Sequence, residues 1–99
     1  MRLKQHQIEI IRWAVEDLAG DDAQVSLFGS RTNDHARGGD IDLLVEVPRP
    51  VEDPAWLIAR ITGRISLRLG GQKIDLVLSA PNLKRFPIHD EAKKQGIVL

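Results

Sequence analysis

The chain has 99 residues, 42% of them hydrophobic and 28% charged, proportions that fit a soluble globular domain with one modest core and exclude collagen-like sequence, coiled coil and disorder. Fourteen basic side chains balance fourteen acidic ones, so no global field draws the chain toward nucleic acid or anionic lipid, and neither is expected as a partner. There is no cysteine, which excludes a disulfide framework and any thiolate metal site and fits a reducing, cytoplasmic location. The longest apolar runs, such as Leu43-Leu44-Val45, fall far short of the roughly 20 residues of a membrane span, and no secretory segment opens the chain.

Lys4, Ile8, Ile11, Val15 and Leu18 recur at helical spacing and predict an amphipathic helix over residues 3–19, stopped by Gly20. Residues 23–28 form a short apolar run with Val25 and Leu27 in alternation, a strand that ends at Gly29-Ser30. Residues 30–39 are polar and glycine-terminated, a turn-rich loop with room for one helical turn. A buried strand is expected over 40–47, ended by Pro48. Pro54 opens a second helix with Leu57 or Ile58, Ile61, Ile65 and Leu69 on its inner stripe, and Gly70-Gly71 closes it. A third strand follows at 73–79, then a short helix over 88–94 and a strand-like segment at 97–99. Helices alternating with apolar strands predict an α/β (α+β) fold, a small mixed sheet of three or four strands flanked by helices, in a single domain over 1–99.

Three carboxylates sit where core strands do not ordinarily carry them. Side chains alternate faces along a strand, so Asp40 and Asp42 point the same way, with Cα atoms about 6.6 Å apart, while Ile41, Leu43, Val45 and Val47 take the other face. Asp75 repeats the anomaly on the next strand, opposite in face to Ile74, Leu76 and Leu78. One such Asp is an ordinary cap or turn residue. Three of them, each flanked by residues of buried type, are expected to form one cluster if the two strands are neighbours. Like charges held together raise one another's pKa, and a cation relieves them. Hard oxygen donors favour Mg²⁺ or Mn²⁺ over zinc. At the end of the first strand, Gly29 lets an anion approach the backbone, and the Ser30 hydroxyl with nearby amides can hold phosphate oxygens.

Phe28-Gly29-Ser30, its spacing to Asp40-Ile41-Asp42-Leu43, and Asp75 on a later strand resemble the polymerase β-type nucleotidyltransferase superfamily, specifically its minimal members. Many relatives carry Ser where this chain has Gly39, and a small residue and a glycine where it has Thr32, Asn33 and Asp34. The resemblance implies that Asp40 and Asp42 bind the divalent ions that bridge a nucleoside triphosphate. It implies that Gly29, Ser30 and Arg31 contact the nucleotide, and that Asp75 completes the second metal site and helps deprotonate the attacking hydroxyl. Two Mg²⁺ or Mn²⁺ ions, ATP as substrate and release of pyrophosphate are implied with it. Arg37 and Lys73 are further candidates to neutralise phosphate.

A chain of this size leaves no residues for a separate acceptor-binding domain, so something else is expected to support the acceptor. The resemblance implies a partner, an all-helical HEPN-type toxin that minimal nucleotidyltransferases accompany as antitoxins, in some systems by adenylylating a tyrosine. Two other readings stay open: a non-catalytic module that neutralises a helical toxin by covering it, and a nucleotidyltransferase acting on RNA or a small molecule. His6, His35 and His89 are spaced too widely for a metal motif and are expected at the surface. Trp13 and Trp56 fall on helices, where packing or partner contact is expected rather than base stacking.

Overall fold

The structure, a computed structural model, describes residues 3–29 and 39–99. Among them the elements run α1 (Gln5–Ala19), β1 (Gln24–Phe28), β2 (Ile41–Glu46), α2 (Pro54–Arg68), β3 (Ile74–Ser79), α3 (Pro87–Gln95) and β4 (Ile97–Val98). The order agrees with the expectation from sequence, and element ends shift by one or two residues. Lys4 lies before α1 rather than on its stripe; its extended backbone precedes the first turn, and its N–H donates to the Gln7 side chain at 2.8 Å. The buried residues of α1 are Ile11, Ala14, Val15 and Ala19. In α2, Pro54 supplies the pre-set first-turn φ, and the Asp53 carboxylate accepts the Trp56 N–H at 3.0 Å. Leu57, Ile61 and Ile65, four residues apart, form its buried stripe.

The four strands form one mixed sheet in the order β3-β2-β1-β4. β1 runs antiparallel to β2 and β4, while β2 and β3 are parallel, joined through α2 as a parallel pair requires. Val25 and Leu27 of β1, Ile41, Leu43 and Val45 of β2, and Ile74 and Leu78 of β3 pack against α1 and α2 in the main core. Fully burying each such side chain stabilises the fold by about 1.5–3 kcal/mol.

The other sheet face is covered differently. There Ser26 and Leu44 are register partners and both are buried, and α3 packs on β1 and β2. His89 anchors that helix. Expected at the surface, it is instead buried: Nδ1 accepts the Phe86 N–H at 3.0 Å, and Nε2 lies 2.9 Å from the Leu78 carbonyl. The ring thus satisfies the first turn of α3 and ties it to β3, and burial without such partners would be costly. His6 is exposed as expected. No helix among the described residues is long and apolar enough to cross a membrane.

Candidate functional site

Because β1 and β2 are antiparallel and β2 and β3 parallel, the end of β1 and the starts of β2 and β3 meet at one end of the sheet. Phe28 lies opposite Asp42, and Asp42 lies opposite Asp75. Adjacent strands are about 4.8 Å apart, so the Asp42 and Asp75 side chains stand abreast on one face, the face opposite the α1–α2 layer. The neighbouring strands that the sequence reading made its condition are therefore present, and they are in register at the carboxylates. Asp40, one residue before β2, has the same parity as Asp42. The Ile41 N–H donates to the Lys73 carbonyl at 3.1 Å, which carries the β2–β3 pairing to this end of the strand.

Gly29 follows Phe28 with φ of +76°, a backbone region that L side chains rarely adopt, and a Cβ built there would run into the Asp42 carboxylate. The glycine is thus what allows Asp42 to lie against the end of β1. Ser30 and Arg31, together with His35 and Arg37, lie outside the described residues.

Asp42 is partly buried, and its pKa is raised above the ordinary carboxylate value, first by burial, then by the charges of Asp75 and Asp40, with Lys73 opposing. Lys73 Nζ lies 3.4 Å from Asp40 Oδ2, and this contact with the neighbouring carboxylates raises its pKa above the ordinary lysine value. One residue earlier, Gln72 Nε2 donates to the Gly39 carbonyl at 3.0 Å and to the Lys73 carbonyl at 3.2 Å, binding the approach to β2 to the approach to β3. Sequence reasoning passed over Gln72, since nothing in its type or spacing distinguishes it from any polar turn residue.

The three carboxylates share a face without converging. Among the described residues, no set of three or more Asp, Glu or His side chains is gathered closely enough to hold a metal ion. Asp40 turns to Lys73 and Asp75 is exposed, as mutual repulsion favours. The donor set nevertheless suits a hard divalent cation: all its donors are carboxylate oxygens, two of them on residues one strand apart, and among the described residues Lys73 is the cation that offsets their charge. A concavity of about 420 Å³ at the opposite end of β2, bordered by Leu18, Val47, Val51 and Trp56, also has Glu52 and Asp53 on its lining, but the Asp53 carboxylate caps α2 by accepting the Trp56 N–H. Its Arg49 is already engaged by Asp22 and the Ala19 carbonyl.

Residues 8–98 match the family model of the nucleotidyltransferase domain. No curated protein matches the chain.

Proposed function

We propose that this chain, which belongs to the nucleotidyltransferase domain family, transfers AMP from ATP to a hydroxyl on a protein and releases pyrophosphate. The family membership supports nucleotidyl transfer from a nucleotide substrate in general. The observation that carries the assignment of the site is the in-register placement of Asp42 beside Asp75, next to a glycine that leaves room for the Asp42 carboxylate. In this reading Asp40, Asp42 and Asp75 hold Mg²⁺ or Mn²⁺, and Gly29, Ser30 and Arg31 contact the triphosphate. When bound, the ions would supply positive charge that offsets the phosphates and favours the ionised attacking hydroxyl. The chain's own contribution is position and charge: Asp42 is fixed by two strand neighbours, Gly29 keeps the approach open, and exposed Asp75 is accessible to the hydroxyl's proton. Lys73, free to turn from Asp40, neutralises phosphate.

Adenine as the base, a HEPN-type all-helical protein as acceptor, antitoxin action, a cytoplasmic setting and a single domain over 1–99 complete the reading. The first three rest on the resemblance to minimal nucleotidyltransferases. The test is transfer from α-labelled ATP with Mg²⁺ and an extract of the source cells, resolved on a denaturing gel. A band that needs the wild-type chain, is lost with Asp40→Ala/Asp42→Ala, resists nuclease and yields to protease is the expected result. A nuclease-sensitive or non-macromolecular product overturns the protein acceptor, and binding of ATP with no product of any kind overturns catalysis in favour of a binding module.

A further inference from the structure

The α1–α2 layer covers the sheet face opposite the carboxylates, and its outer surface has a composition of its own. α2 carries Arg60, Arg64 and Arg68 at successive turns and no acidic residue. Their guanidinium groups stack on exposed indoles: Arg60 lies 5.3 Å from the Trp56 ring, and Arg64 and Arg68 lie 5.0 and 4.8 Å from that of Trp13. Stacking fixes a guanidinium while leaving its N–H groups free at the edge to pair with carboxylates. Arg64 already has Asp17 of α1, but neither Arg60 nor Arg68 has a carboxylate within ion-pair distance among the described residues. Beside this row, Ala59, Gly63 and Leu67 form a second line along the helix. Leu67 is 85% exposed.

Gly63 gives the face its shape. A glycine inside a helix destabilises it relative to alanine, yet a Cβ at this position would meet nothing within 4 Å. The helix therefore carries a notch that no other part of the described chain fills, flanked by cationic side chains and an exposed leucine. A small residue between ridges of larger ones is the surface into which a crossing helix sets a side chain. Arginine and tryptophan are also the residues that most often dominate protein interfaces.

We propose that this outer face of α2 docks an acidic amphipathic helix of another protein, with carboxylates on Arg60 and Arg68 and an apolar side chain in the Gly63 notch against Leu67. Charge selects this occupant. A second copy docked symmetrically would set one arginine row against the other, and of α1's acidic residues Asp17 and Glu16 are already taken up by Arg64 and Arg12, while Glu9 accepts from Gln5. A nucleic acid could bring phosphates to the arginines, but it has no aliphatic side chain to set in the Gly63 notch against Leu67, and its bases could stack on the indoles only by displacing the guanidinium groups. The proposal is independent of the nucleotidyl acceptor, because the docking face and the carboxylates lie on opposite sides of the sheet.

The experiment places a photo-crosslinking amino acid at Ala59 and, separately, at Leu67 of the full chain in the source cells. The expected result is a light-dependent adduct with one other protein, attached through a segment rich in Glu and Asp with apolar residues at helical spacing. With that protein purified, Arg60→Glu/Arg68→Glu and Gly63→Leu each weaken binding at least about tenfold, Arg60→Lys/Arg68→Lys retains more of it than the charge reversal, and Asp42→Asn leaves it unchanged. Unaltered Mn²⁺ binding by the Arg60→Glu/Arg68→Glu chain shows that the chain is folded and separates loss of docking from loss of the nucleotide site. An adduct with RNA, with a second copy or with a non-acidic segment overturns the proposal. So does the absence of any adduct, or binding indifferent to charge reversal.

Discussion

Asp42 is the residue in which fold and chemistry oppose each other. It occupies the centre of a strand end, partly buried, beside Asp75 and near Asp40, and all three circumstances disfavour its ionised form. With its folded-state pKa above the unfolded value, the native state binds more protons in the window between the two, so stability falls as pH rises through that window. Below the ordinary value of 3.8 the penalty is absent. Asp42→Asn therefore raises the melting temperature in metal-free buffer at pH 7.5, and the gain shrinks as the pH is lowered toward 4, as thermal denaturation across that range will show. At Gly29, alanine meets both the positive φ and the Asp42 carboxylate. Gly29→Ala lowers stability by at least about 1–2 kcal/mol, a fall in melting temperature on the order of 10 °C, which calorimetry measures. Asp42 was legible in the sequence, because a carboxylate at a buried strand position is an anomaly of residue type. Gly29 was singled out by its place before Asp40 and Asp42 as a way in for an anion, and the room it leaves for the Asp42 carboxylate came only with the folded chain. Gln72 and His89 were not legible, since their roles depend on carbonyl groups of Gly39 and Leu78 that only the folded chain brings within reach.

At the scale of elements, α2 has two faces with opposite sensitivities. Ile61 is fully buried and Gly63, two residues on, faces open space. Ile61→Ala should cost about 2–5 kcal/mol, whereas Gly63→Ala should stabilise by about 1 kcal/mol, both read from denaturant unfolding. The inner stripe of this helix followed from periodicity, which reports burial directly. The outer face did not, because surface arginines look alike in sequence until their neighbours are known, and Trp13 reaches Arg64 and Arg68 from another helix. α3 shows the same limit in reverse. Its existence was readable from a short helical run, but its seat over Ser26 and Leu44 and its anchor at His89 came only with the tertiary structure.

For the molecule as a whole, the element order was legible and the sheet order was not, since strand pairing joins residues far apart in the chain and leaves no local mark. The consequence is concentrated in one pairing. Had β3 lain elsewhere in the sheet, Asp75 would be a solvated turn-side residue and Asp40 and Asp42 an ordinary strand start. The parallel register of β2 and β3 makes them neighbours instead, and the account stands on that. The measurement that addresses it most directly is Mn²⁺ binding by electron paramagnetic resonance, with and without ATP, for the wild type, Asp42→Asn and Asp75→Asn. The account predicts that the wild type binds Mn²⁺ more tightly when ATP is present, and that either substitution weakens this binding at least about tenfold while the chain stays folded. Equal affinity in all three folded proteins would contradict it.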